Sequence, residues 1–110
     1  MKYIITESRF ENLIFKYLDN KLDGIELKEG EYCDIIFVFP GEKFGLMGWK
    51  KSNQLFTYWK IIDDIETMFS MDVFDAHRAI GRYVESRYNL KVSSDQVVWE
   101  PKSPELRIDR

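Results

Sequence analysis

Apolar residues recur along this chain in two rhythms. Phe10, Leu13, Ile14, Tyr17 and Leu18 fall at i, i+3, i+4, i+7 and i+8, which puts them on one stripe of an amphipathic helix. Thr6 is the expected N-cap, because its hydroxyl can accept an otherwise orphan backbone N–H. Ile5 then stands one position before the cap and Phe10 in the first full turn, forming a hydrophobic staple. The helix is predicted to run to about Leu22, where Asp23-Gly24 stops it. A second stripe, Ile61, Ile62, Ile65, Met68 and Phe69, predicts a helix over about 60–69, broken at Ser70. A third helix is expected from Asp72 as N-cap, with Asp75 three residues on. It turns Val73, Ala76, Ile80, Tyr83 and Val84 inward and ends near Asn89, a residue that tolerates the left-handed cap. Gly81 inside it costs about 1 kcal/mol relative to Ala, so a close neighbour is expected there.

Between the first two helices the rhythm shortens. Tyr32–Phe39 contains five consecutive apolar residues, Ile35 to Phe39, and stops at Pro40-Gly41. Such a run reads as a strand buried on both faces. Ile25–Lys28, Lys43–Lys50 and Leu55–Trp59 are the other strands expected before the second helix, joined by short polar turns that favour an antiparallel meander. Gly45 and Gly48 mark a bulge or a close backbone approach. Leu90–Val92 and Gln96–Glu100 add one or two strands. The prediction is an α+β fold: an antiparallel β-meander of about four to five strands packed with three α-helices. Residues 1–110 make a single domain, with an extended C-terminal tail, 101–110, in which Leu106-Arg107-Ile108 is placed to dock.

The central run poses a question of cover. Ile35, Phe37 and Phe39 alternate with Ile36 and Val38, and Leu55, Thr57 and Trp59 with Phe56 and Tyr58. Three helices cover one face of such a sheet well and both faces thinly. Residual apolar surface, or an open strand edge, is therefore expected to serve self-association or a partner protein. The alternative is that one helix crosses to the other side and the chain closes as a monomer.

Charge removes several function classes. The net charge is −3, with both signs interspersed, so neither bulk attraction to a phosphate backbone nor mimicry of nucleic acid is expected. Trp49-Lys50-Lys51 and Phe56, Tyr58, Trp59, Lys60 interleave aromatics with bases, a pattern that can stack single-stranded bases. It is also ordinary cross-strand packing, and nucleic-acid binding ranks third among the readings. No apolar run approaches the roughly 20 residues of a membrane-spanning helix, and no signal-peptide core opens the chain. A soluble, cytoplasmic protein is expected.

Candidate chemistry is sparse. Asp63, Asp64, Glu66, Asp72 and Asp75 lie within thirteen residues, but they read as solvated or capping residues, and their spacing matches no calcium loop or zinc motif. No metal and no cofactor are expected. Arg78, Arg82 and Arg87 are expected to pair with the acidic second helix. Cys33 and His77, the one cysteine and the one histidine, read as a small buried residue and a surface or boundary residue. They are not taken as a nucleophile and its base. Cys33 is placed on the strand face of Ile35, Phe37 and Phe39. No catalytic residue is assigned.

The opening Tyr3-Ile4-Ile5-Thr6-Glu7-Ser8 and the segment Ile80–Val92 resemble small uncharacterised proteins of tailed-phage genomes. The resemblance transfers no catalytic residues. It implies a viral protein that is either part of the virion or an accessory factor in the host cytoplasm. The leading expectation is a small non-enzymatic interaction or structural protein, working through protein contacts or as a homo-oligomer. Trp49, Phe56, Tyr58, Leu106 and Ile108 are the candidate contact residues. The second expectation is a small enzyme or ligand-binding protein with a pocket among the aromatic strands.

Overall fold

The first apolar stripe folds as α1 (Glu7–Lys21), and a tight left-handed turn at Gly24, with φ of 85°, reverses the chain. Four strands follow: β1 (Glu26–Lys28), β2 (Ile35–Val38), β3 (Met47–Lys50) and β4 (Gln54–Tyr58). Two helices, α2 (Trp59–Phe69) and α3 (Val73–Tyr88), then lead to β5 (Ser94–Val98) and a short 3-10 turn at Pro104–Leu106. The computed structural model describes residues 7–109, with side chains from residue 11 onward. The cap and staple drawn from Ile5, Thr6 and the Phe10 side chain lie outside the described residues.

The fold is α+β, with three helices and one open five-stranded sheet in the order β1-β2-β3-β4-β5. The first four strands form the expected antiparallel meander, with Leu27 opposite Phe37, Ile36 opposite Gly48, and Met47 opposite Thr57. The fifth departs from it. β5 pairs parallel to β4, with Phe56 opposite Gln96. Parallel neighbours need a long crossover, and α2 and α3 together supply it. Leu90–Val92 is not a strand; it is the return from α3.

The helix caps follow from the sequence. Asp72 accepts a hydrogen bond from the Asp75 N–H at 2.9 Å. Ser70 and Asn89 both take left-handed geometry at the helix C-termini. At Gly81 an added Cβ would stand 3.3 Å from Val92 Cγ1, so the glycine lets the return segment lie against α3.

All three helices pack on one side of the sheet. Ile14, Leu18, Ile61, Ile65, Ile80, Tyr83 and Val84 enclose Phe37, Met47 and Leu55. The ion pairs described for the arginines of α3 run to α1 and within α3: Arg87 meets Asp19 at 3.1 Å and Arg82 meets Glu11, while Arg78 pairs with Asp75 of its own helix. The reason is packing. α3 turns its Arg82–Arg87 side toward α1, and Asp64 of α2 is engaged by Lys21 and Tyr17.

The opposite face is covered by the C-terminal tail. Cys33, Ile36, Val38, Phe56, Val98 and Leu106 form a separate buried cluster, with Tyr58 and Ile108 against it. The tail crosses this face and is stitched down at its far end. Gly45 N–H donates to the Leu106 carbonyl (2.8 Å), Ile108 N–H to Lys43 (2.9 Å) and Asp109 N–H to Glu29 (2.7 Å). Cys33 thus lies on the side opposite to Phe37, because the chain bends over residues 31–34 and strand alternation begins only at Ile35. Gly48 makes room for it: a Cβ there would lie 2.6 Å from the Cys33 sulfur.

Candidate functional site

The two edges of the sheet differ. β1 has three residues, all exposed, with Glu26 and Lys28 close enough to pair at 3.7 Å. Short, charged edges resist further strand pairing. β5 has five residues, of which only Asp95 is charged. Among the described residues, Asp95–Val98 make no backbone–backbone hydrogen bond outside the sheet ladder; the Gln96 N–H is drawn to the carboxylate of the preceding Asp95, and no other chain segment pairs with the outer side of β5.

That one charge is turned away from the edge. Asp95 faces the helix side, where Thr57 Oγ1 donates to its Oδ1 at 2.8 Å and His77 Nδ1 lies 2.8 Å from its Oδ2. The carboxylate is 5% exposed and the imidazole 17%. The bond from Asp95 raises the His77 pKa above its ordinary value, against the opposing effect of burial. Burial pushes the Asp95 carboxyl up, and the bonds from His77 and Thr57 work against that. A buried carboxylate needs such partners, and here they tie β5 to both β4 and α3.

With Nδ1 committed to Asp95, Nε2 is the ring nitrogen left for the cleft beside it. This cleft has a volume of about 330 Å³ and lies between α3 and the segment entering β5; Gly81, Val92 and Ser93 line it together with His77 and the charged side chains of Arg78, Arg82 and Glu85. The entering segment is pinned on several sides. Asn53, itself at φ 65°, accepts the Ser93 N–H at 2.7 Å. Glu85 accepts the Val92 N–H at 2.9 Å, and the Trp49 indole donates to the Lys91 carbonyl at 2.8 Å. At the other end of β5, Trp99 is 69% exposed and stacks on Trp59 with ring centres 6.3 Å apart.

A larger hollow, about 380 Å³, lies between α1 and the α2–α3 corner. Its charged walls pair among themselves, Arg78 with Asp75 and Arg82 with Glu11. Among the described residues, no group of three His, Cys, Asp or Glu side chains is arranged to hold a metal ion, and no helix is long and apolar enough to cross a membrane.

The candidate contact residues separate under the fold. Phe56 and Leu106 are buried in the tail-side cluster, with half-buried Tyr58 and Ile108 beside them. Four of the five are thus brought together, but as interior packing. Trp49 stands on the opposite face, half-buried under Lys91. Cys33 and His77 lie on opposite sides of the sheet and cannot form a dyad. Burial pushes the Cys33 thiol up to about 12, which keeps it protonated. Lys50 lies over the Tyr32 ring, opposite Gln54 at the start of β4, whereas Lys60 follows the end of that strand, so the two mark no continuous basic stripe.

Asp95, Trp99 and the role of His77 were not singled out by pattern. The available signal was the alternation Asp95, Val97, Trp99, which sets an acid and an indole on one side of a strand. Compared with protein-family models, curated proteins and solved structures, the chain matches none.

Proposed function

We propose that this protein is a non-enzymatic interaction module that makes its protein contacts by strand addition along β5. The observation that carries this reading is an open five-residue edge, free of outward charge, with a mostly exposed tryptophan at its end. An added strand gains main-chain hydrogen bonds from such an edge, and flanking side-chain pockets give selectivity. Tryptophan is enriched among the residues that dominate binding energy. The tailed-phage likeness of the sequence fits a small accessory or virion protein of this kind, acting in the host cytoplasm or in the particle.

The test is a photo-crosslinking residue placed at Gln96 in cells making the protein, with the same residue at Leu27 on β1 as control. Discrete protein adducts are expected from position 96, reduced by Trp99→Ala, and not from position 27. No adduct at position 96 above the control overturns the reading.

The His77 cleft favours a second reading, a small ligand-binding protein or enzyme. His77 is held through Nδ1 by the Asp95 carboxylate, an arrangement that orients the imidazole in proton-transferring sites. The imidazole proton resonances report on this directly. Their movement with small carboxylates or phosphates at millimolar concentration supports ligand binding; silence across such a set removes it.

A further inference from the structure

We infer that the partner on β5 is a second copy of this chain, paired antiparallel about a two-fold axis at Gln96, with Trp99 of each copy seated in the other's cleft beside His77. The inference rests on the proposal that the β5 edge is the contact surface.

The argument begins with register. Gln96 is the midpoint of β5. A two-fold axis there sets Ser94 opposite Val98 of the partner subunit and Asp95 opposite the partner's Val97, so all five residues are paired. One step further sets Trp99 opposite Ser93 of the partner subunit. Side chains directly opposite one another on antiparallel strands stand about 4.5–5.5 Å apart at Cβ.

The faces agree as well. Asp95 and Val97 point to the helix side, as their contacts with His77 and the helix-side core show. Alternation carries Trp99 to the same side. The cleft walled by His77, Gly81 and Ser93 is on that side too. The ring that projects past one end of β5 therefore meets the hollow before the other end. A two-fold axis makes this contact twice, which is the self-complementarity that an isologous interface requires. The cleft of about 330 Å³ can take an indole, a group that buries roughly 150–250 Å² in such contacts.

Charge is also self-consistent. Asp95 faces away into His77 and Thr57, so no like charges oppose each other across the axis. Gln96 is exposed at the axis, and its amide carries both donor and acceptor, so it can pair with its own copy. A foreign strand would satisfy the open edge alone. A second copy satisfies the edge, the projecting ring and the hollow together.

The experiment is disulfide trapping with single cysteines. Across the axis the two Gln96 Cα atoms stand about 4.5–5.5 Å apart, within the range a disulfide spans. The two Ser94 Cα atoms are about 14 Å apart at the antiparallel rise per residue. Under mild oxidation Gln96→Cys is expected to form covalent dimer at least about tenfold faster than Ser94→Cys. Native Cys33, buried at 1% exposure, does not compete. Sedimentation of the wild type is expected to show a concentration-dependent monomer–dimer equilibrium, weakened about tenfold or more by Trp99→Ala. Equal trapping at positions 94 and 96, or a pure monomer at several hundred micromolar, overturns the inference. The photo-crosslink at Gln96 separates the two failures. An adduct with a different protein overturns the second-copy inference and leaves the contact edge standing; no adduct overturns both.

Discussion

On one side of the sheet the cover consists of three helices, each of which brings its own apolar stripe. On the other side it consists of a short tail that owns no periodic pattern and docks through Leu106, Ile108 and a few backbone hydrogen bonds. Both clusters are buried to a similar degree. They differ in how their order is bought. Helical residues satisfy their backbone locally, whereas the tail, beyond the two bonds of its own 3-10 turn, satisfies its backbone against loops far away in sequence, at Glu29, Glu31, Lys43 and Gly45. The tail side is therefore the less redundant of the two: few residues hold it, and each one matters.

Ending the chain after Glu100 should break this comparison most severely. Leu106 is 1% exposed, and truncating one such side chain to Ala costs about 2–5 kcal/mol. Removing the whole tail is expected to cost more than Leu106→Ala, measured by urea unfolding. It is also expected to open Cys33 to thiol reagents in the native state. Ile80→Ala on the helix side falls in the same 2–5 kcal/mol class but should leave Cys33 protected until global unfolding. A truncated chain with wild-type stability and an unreactive Cys33 would show that the tail does not cover this face.

Gly48→Ala tests the same cluster from within. The new Cβ would collide with the Cys33 sulfur, and overpacking of this kind costs about 1–3 kcal/mol. Cys33→Ala should recover part of that loss in the double variant, which a plain propensity effect would not allow.

On the helix side, His77→Gln is expected to cost about 1 kcal/mol, the typical net worth of a hydrogen bond. Its pH dependence is the sharper readout. The folded pKa of His77 is raised by Asp95, so its contribution is full below the ordinary histidine value near 6.5. It is lost as pH rises through the raised value. The stability difference between wild type and variant should shrink across that window; a difference that grows with pH contradicts the assignment. The smallest effect belongs to Arg78→Ala, which removes an exposed i, i+3 pair with Asp75. About 0.5 kcal/mol or less is expected.

What was legible in the sequence divides along the same line. The stripes of α2 and α3, the Asp72 cap, the break at Ser70, the left-handed Asn89, and the close approach at Gly81 could be read because each depends on a signal within a few residues. The meander could be read because its turns are short. The parallel pairing of β5 could not, since nothing in Ser94–Val98 names β4 as its neighbour. The pairing of His77 with Asp95 spans eighteen residues and exists only after α3 lies against the strand. Phe56 and Leu106 were read as surface contacts because an aromatic strand and an apolar tail look exposed until each is seen to bury the other.

The docking of the tail also sets a timetable. During synthesis the chain reaches Lys50, and with it the first three strands, well before it reaches Ile108 and Asp109. At about 5–20 residues per second, roughly 3–12 s separate the emergence of Ile36 and Val38 as neighbours of β3 from the arrival of the segment that shields them. For that interval an aromatic, β-branched surface is open to chaperones and to other nascent chains. The helix side can collapse as it is made; the tail side has to wait for residues 104–109.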